Sequence, residues 1–307
     1  MKINSHNRVL PTVCVLMSTY NGERFIYEQI GSIFRQKNVT VHLVVRDDGS
    51  VDDTVKVIES FIREGADIEL IKGENLGPSE SFLELIYTHR KYDYFALADQ
   101  DDIWHDDKLC AAVDKMENSK NVPTLYYSSV TLVNSRGNKQ PVQVSTEKAT
   151  LENAIFGFYA TGCTIVYNKK MADFIMRYRP KNIYMHDAWL LTVACYCGEI
   201  IFDKQSHIDY RQHESNVVGM AKKRSLNKKL RDFFLKNKGR HSKIAKELQK
   251  GFEDCISDKE IRMMLGYAAE CPNSLTARLQ LLKSSQFKML PKQTMDAVGR
   301  QILFGVF

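Results

Sequence analysis

The chain has 307 residues, 44% of them hydrophobic, which is enough for one large domain or for one domain with an appendage. Its formal net charge of +6 hides an asymmetry: residues 220–307 carry 19 Lys/Arg against 8 Asp/Glu, a balance of +11, while residues 1–219 carry the remaining 24 and 29, a balance of −5. No apolar run reaches the roughly 20 residues a membrane helix needs, no signal-peptide pattern opens the chain, and seven cysteines without a Cys-x-x-Cys spacing argue for a reducing compartment and against a disulfide framework or a zinc site.

The first half alternates strands and helices. Thr12–Ser18 is β-rich, and Arg24–Gln36 places Phe25, Ile26, Ile30, Ile33 and Phe34 on one helical face. Val41–Val45 is the next strand, and Ser50 is the expected N-cap of a helix whose acidic start is Asp52-Asp53 and which buries Val55, Ile58, Phe61 and Ile62. Ile68–Ile71 is a third strand, and Gly77-Pro78 opens a helix to about His89. A fourth strand, Tyr94–Ala98, ends on Asp99-Gln100-Asp101-Asp102, and a helix follows from Asp106 to about Asn118. Repeated βαβ units imply a parallel sheet with right-handed crossovers.

Beyond residue 120 the pattern is less regular. Leu125–Val133, Gly162–Tyr167 and Ser206–Tyr210 read as strands, Arg136-Gly137-Asn138 as a turn, and Met185–Cys197 as a helix. Past Gly219 the chain becomes helical and basic, over about Leu226–Phe252, Asp258–Ala269, Ser274–Ser285 and Pro291–Leu303. Lys222-Lys223-Arg224 and Lys228-Lys229-Arg231 precede Phe233-Phe234-Leu235, a cationic and apolar pattern suited to an anionic membrane surface. A solvated helical face and self-association by helix packing are the alternatives for this tail.

Ligands of open α/β sheets bind at the carboxyl ends of the strands. Carboxylates one residue apart in an extended segment point the same way, so Asp99 and Asp101 converge, and crowded carboxylates repel unless a cation lies among them. A hard divalent ion, Mg²⁺ or Mn²⁺, suits such oxygen ligands. Read alone, the cluster fits either that site or a polar loop with a helix cap. Neither Gly-x-Gly-x-x-Gly nor a phosphate loop ending Gly-Lys-Ser/Thr is present, so a nucleotide would need other devices. Tyr20 offers a ring for a base, and Asp47 or Asp48 a carboxylate for a base N–H or ribose, although Asn21-Gly22 and Asp48-Gly49-Ser50 are also ordinary turn chemistry.

Taken together, Thr19-Tyr20-Asn21-Gly22, Asp47-Asp48-Gly49-Ser50, Asn75-Leu76-Gly77 and Asp99-Gln100-Asp101-Asp102, in this order over residues 10–220, resemble the family 2 glycosyltransferases. The resemblance implies the GT-A fold: a mixed, mainly parallel sheet flanked by helices, here with a basic helical C-terminal extension. It implies a catalytic domain over 1–219, with its donor half at about 1–120 and its acceptor half at about 121–219, followed by a basic α-helical region at 220–307. It assigns the donor's base and ribose to Thr19, Tyr20, Asn21 and Asp48, a ribose or metal contact to Asp99, and the Mn²⁺ or Mg²⁺ ion with the donor diphosphate to Asp101.

Two later motifs extend the match. His186-Asp187-Ala188-Trp189 is similar to the family's acidic motif, with Asp187 as general base, Trp189 on the acceptor side, and His186 where many members have Glu. Tyr210-Arg211-Gln212-His213 is similar to its late basic motif, which implies Arg211 at the donor diphosphate and His213 as a metal or phosphate ligand. Gly162, in Ala160–Thr164, matches the small-residue loop beside donor and acceptor sugars. These motifs look most like bacterial rhamnosyltransferases of cell-surface polysaccharides. The resemblance therefore implies an inverting transfer from dTDP-rhamnose, or failing that a UDP-hexose, to a glycan or lipid-linked acceptor, by a cytoplasmic enzyme at the inner face of the membrane. Homo-oligomerisation stays open, a nucleic-acid partner is not expected because no recognition motif accompanies the basic tail, and a metal-dependent phosphohydrolase is the alternative from another class.

Overall fold

The computed structural model describes residues 9–134, 137–142, 149–157, 160–212 and 239–307. They divide into two compact units, one drawn from 1–146, 160–176 and 198–217, the other from 147–159, 177–197 and 218–307. Among the described residues, 149–157 and 177–197 group with the C-terminal helices.

The first unit is built on a nine-stranded sheet. Its strands are β1 (Thr12–Thr19), β2 (Thr40–Asp47), β3 (Ile68–Lys72), β4 (Tyr94–Ala98), β5 (Ile103–Trp104), β6 (Thr124–Val133), β7 (Lys139–Val142), β8 (Val166–Asn168) and β9 (Glu199–Arg211). The order is β3-β2-β1-β4-β8-β6-β9-β5, with β7 paired to β6. The ladders among β1–β4 and between β6 and β9 are parallel and long, while those of β8, β5 and β7 are antiparallel and short. Helices α1 (Glu23–Phe34), α2 (Thr54–Arg63), α3 (Pro78–Thr88), α4 (Lys108–Met116) and α5 (Lys169–Ile175) flank the sheet. Val13, Val15 and Met17 of β1, Leu43 and Val45 of β2, and Ala96 and Ala98 of β4 pack with Ile26, Ile30 and Ile33 of α1 in one buried cluster. Burial on both faces explains why these strands read as continuous apolar runs.

The second unit contains α6 (His186–Cys197), α7 (Arg240–Phe252), α8 (Lys259–Glu270), α9 (Leu275–Lys283), α10 (Ser285–Lys288) and α11 (Lys292–Leu303). Gly251 of α7 lies flat on Tyr178: a Cβ there would stand 2.5 Å from Tyr178 Cγ. Glu247 of α7 accepts hydrogen bonds from the Tyr178 hydroxyl at 3.0 Å and the Lys181 amide at 2.7 Å. Among the described residues, no helix is long and apolar enough to cross a membrane.

Several local expectations are corrected. Ser50 does not cap α2. Asp53 stands at that position without a side-chain cap, and Ser50 Oγ instead donates to Asp47 at 2.5 Å. Ile62, expected in the core, is exposed. Gly162–Thr164 is a 3₁₀ turn, with the strand beginning only at Val166. The helix expected from Leu226 lies outside the described residues as far as 238, and α7 begins at Arg240.

Candidate active site

Parallel pairing brings the tips of β1, β2 and β4 to one edge of the sheet, with Thr19 opposite Asp47 and Met17 opposite Ala98. There Gln100, the middle residue of the acidic motif, clips the tip of β1. Its Oε1 accepts from Thr19 Oγ1 at 2.6 Å and from the Tyr20 amide at 2.9 Å, and its Nε2 donates to the Tyr20 carbonyl at 3.2 Å. The Tyr20 ring is left 47% exposed. Asn21 sits at φ 48°, a left-handed conformation that Asn tolerates. Its amide donates to Ser50 Oγ at 2.9 Å and its Oδ1 accepts from the Val51 amide at 3.0 Å, so it ties the first tip to the second.

The second tip is a buried charge knot. Asp47 accepts from the Gly49 and Ser50 amides at 3.2 and 2.9 Å, closing the turn. Asp48 is buried, pairs with the Arg46 guanidinium, and accepts from the Leu76 and Gly77 amides at 3.0 and 2.8 Å. Gly77 adopts φ 77°, and Arg46 also donates to the Glu74 carbonyl at 3.1 Å. The Asn75-Leu76-Gly77 segment is therefore held by Asp48. As placed, this carboxylate shapes the loop ahead of α3, with both oxygens engaged by protein groups.

The acidic tip is pinned from two sides. Gln29 Nε2 donates to the Asp99 carbonyl at 2.9 Å, the Trp104 amide to Ser32 Oγ at 3.0 Å, and Gln36 Nε2 to the His105 carbonyl at 2.7 Å. Gln29, Ser32 and Gln36 thus form a polar ladder on the buried face of α1 and its following turn. From β9, Arg211 donates through Nε to the Asp101 carbonyl at 2.5 Å and through Nη2 to the Asp102 carbonyl at 3.3 Å, and it pairs with Glu28. Its guanidinium lies 5.0 Å from the Phe25 ring centroid.

The three carboxylates differ in depth. Asp99 is half-buried, Asp101 is 9% exposed and Asp102 is fully buried. Burial, reinforced by the charges of Asp99 and Asp101, pushes the Asp102 carboxyl well above the usual carboxylate range. Its Oδ2 makes no hydrogen bond among the described residues. Below it, Lys108 is buried with its ammonium 3.7 Å from the centre of the Trp104 ring, and burial pulls its pKa down to about 8 against the opposing pull of Cys163 and Asp102. Asp99, Asp102 and Cys163 each offer a ligand atom within 4.8 Å of the others. The Cys163 thiol is pushed well up by burial and then by the charges of Asp102 and Asp99, so it stays protonated. The donor set that remains is hard oxygen, which fits Mg²⁺ or Mn²⁺ and not a thiophilic ion, and the charges of Asp99 and Asp101, which add to burial in raising Asp102, are ones a dication would offset. Gly162 opens the 3₁₀ turn that carries Cys163 to Asp102.

In the second unit, Asp187 lies half-buried in the first turn of α6, with Oδ1 accepting from the Ala188 amide at 2.7 Å. Burial pulls His186 down to about 3, which keeps it neutral. Trp189, expected on the acceptor side, has no exposed surface. Its indole packs between Tyr178 and Phe252, at centroid distances of 6.4 and 5.9 Å, and supports the first turn of α6 from within. His213 lies outside the described residues, as do the basic clusters at 222–231. Gln100, Gln29 and Lys108 were missed by sequence reasoning. Gln29 carried a signal, a polar residue in the apolar stripe Ile26, Ile30, Ile33.

Residues 14–176 match the family described as glycosyl transferase family 2. The chain is 34% identical over 217 residues to the dTDP-rhamnosyl transferase RfbG of Shigella flexneri, an alignment covering 66% of this chain and 73% of that protein. It is 24% identical over 229 residues to an uncharacterized glycosyltransferase of Rickettsia typhi, covering 72% of this chain and 69% of the relative. Among solved structures, S. aureus TarS 1–349 in complex with UDP-GlcNAc superposes with a TM-score of 0.60 at 15% identity, over 95% of this chain and 89% of that one. The mannosyltransferase PcManGT from Pyrobaculum calidifontis, in complex with GDP-Man and Mn²⁺, gives a TM-score of 0.52 at 14% identity, over 97% and 86%. At these identities the structures speak for the fold, which is GT-A.

Proposed function

Because the chain belongs to glycosyl transferase family 2 and is a glycosyltransferase, we propose that it is metal-dependent and inverting, and that it moves rhamnose from dTDP-rhamnose to a glycan or lipid-linked acceptor in surface-polysaccharide synthesis. The observation that carries the reading is the acidic tip at the end of β4, with hard oxygen donors next to the clipped edge of β1. Thr19, Tyr20 and Asn21 take the base and ribose. Asp48 contributes by fixing the Leu76–Gly77 loop, and Asp99 stands at the ribose or the metal. Asp101 would hold Mn²⁺ or Mg²⁺, joined by Asp99 or Asp102, the two carboxylates that approach each other beside Cys163. When bound, the ion offsets the charge that develops on the departing diphosphate. Mn²⁺ in the mannosyltransferase of the same fold supports this cofactor, and the Shigella relative's name supports the donor. UDP-hexose is the alternative donor, favoured by UDP-GlcNAc in TarS.

The reaction is one displacement. The acceptor oxygen bonds to the anomeric carbon as the bond to the diphosphate oxygen breaks. Asp187 takes the acceptor's hydroxyl proton, and the nucleoside diphosphate leaves with the bonding electrons. A positioned base is worth on the order of 10²–10⁴ in rate. Arg211 adds positive charge behind the tip, and Gly162 leaves room beside the transferring sugar. The test is Asp187→Asn, measured for transfer and for dTDP binding. Turnover falls by about 10² or more while dTDP affinity is kept. Near-wild-type transfer removes Asp187 from the role of base, undiminished transfer in EDTA removes the metal, and a thermal shift with UDP but not dTDP moves the donor to a UDP-hexose.

A further inference from the structure

The helices after Pro272 expose large apolar side chains beside lysines. Leu275 is 68% exposed, Leu279 47%, Met289 70%, Leu303 56% and Phe304 59%. Leu275 and Leu279 stand four residues apart on α9 and so share a face. Arg278, between them, joins this helix to the end of α11. Its Nε donates to the Cys271 carbonyl at 2.9 Å, its Nη2 to the Pro272 carbonyl at 2.9 Å and its Nη1 to the Leu303 carbonyl at 3.3 Å. Leu303 and Phe304 therefore belong to the same platform as α9. Residues 271–307 hold Arg278, Lys283, Lys288, Lys292 and Arg300 against Asp296 alone, a balance of +4.

We propose that this face of α9–α11 is a lipid-docking surface, with Leu275, Leu279, Met289, Leu303 and Phe304 entering the headgroup boundary of an anionic bilayer and Lys283, Lys288 and Lys292 lying against its phosphates. Two observations choose this occupant. Exposed leucine, methionine and phenylalanine gain by leaving water, and a rim in which five cations outnumber one carboxylate, Asp296, complements anionic headgroups. No described helix spans a membrane, so the contact is interfacial. The inference extends the reading of a lipid-linked acceptor, but its test needs neither donor nor transfer.

The experiment is co-sedimentation of the full chain with phosphatidylcholine vesicles, with and without phosphatidylglycerol, at two salt concentrations. The wild-type chain binds the anionic vesicles and releases them as salt rises. Leu275→Ser with Leu279→Ser, both at exposed positions on α9, keeps the melting temperature and binds about tenfold or more weakly. Lys283→Glu with Lys292→Glu loses the dependence on phosphatidylglycerol. Equal binding by the serine variant, or equal binding of wild type to neutral vesicles, overturns the proposal. So does a serine variant that changes only the concentration-dependent size of the protein in solution, since the face would then cover a second copy of the chain.

Discussion

Replacing Asp48 by alanine tests how the donor edge is built. The Arg46 and Asp48 side chains are 8% and 3% exposed, and the Asp48 carboxylate also accepts from the Leu76 and Gly77 amides. Alanine leaves a buried guanidinium with only Ser81 Oγ, at 3.2 Å, and the Glu74 carbonyl among the described residues, and it takes the carboxylate acceptor from two amides. Breaking a buried ion pair from one side costs about 3–5 kcal/mol. Asparagine keeps an acceptor but removes the charge, and should cost about 1.5–3 kcal/mol. The two tryptophans provide the assay, because Trp104 lies in the first unit and Trp189 in the second. In a Trp189→Phe background, urea unfolding followed by Trp104 fluorescence should lose more than about 1 M in midpoint for the alanine variant, at a slope of about 2 kcal/mol/M. In a Trp104→Phe background, Trp189 reports whether the loss stays within the first unit. An alanine variant with an unchanged Trp104 midpoint would refute the claim that this carboxylate carries the loop.

Gln100→Ala removes three hydrogen bonds from the β1 tip, so dTDP affinity measured by calorimetry should fall about tenfold, roughly 1.4 kcal/mol, with little change in unfolding midpoint. His186 and His241 are buried and neutral, held near 3 and near 4 against an ordinary value of 6.5. Between pH 6.5 and those values the unfolded chain binds the extra protons, so each histidine lowers stability by about 1.4 kcal/mol per pH unit as the solution is acidified. Urea midpoints read by Trp189 should slope down below about pH 6.5, and a flat profile to about pH 5 would contradict the buried neutral rings. Asp258 caps α8 by accepting from the Glu260 and Ile261 amides at 2.7 and 3.1 Å, so Asp258→Ala should cost about 1 kcal/mol in the same assay.

The strands and helices that were legible in the sequence are those whose own side chains decide their environment. β1, β2 and β4 are buried on both faces, and α1 shows its stripe directly. β5 has two residues and β7 four, too few to show a period. β9 was seen only at its end. Its register against β6 shifts between Ser128 and Ser129 and again before Thr131, and these irregularities break the alternation that would mark a strand. Asp203-Lys204-Gln205, in its middle, looks like a loop although Asp203 is buried and accepts from the Tyr126 hydroxyl at 3.0 Å.

Within the candidate site, residue type was legible and depth was not. The sequence presents Asp99, Asp101 and Asp102 as three equal acids at a strand tip. The fold sorts them: Asp102 directly precedes β5, whose Ile103 and Trp104 pair with Asp209 and Ile208 of β9, and it is fully buried near Cys163 and Lys108. A fully buried carboxyl next to two others is strongly disfavoured as an anion, and the Lys108 ammonium seated on Trp104 does not undo this, since Asp102 stays well above the usual carboxylate range. Asp99 stays half-buried and Asp101 is 9% exposed. The difference in depth among three adjacent acids thus goes with the pairing of a two-residue strand to a partner more than 100 positions along the chain, the kind of information that local pattern does not contain.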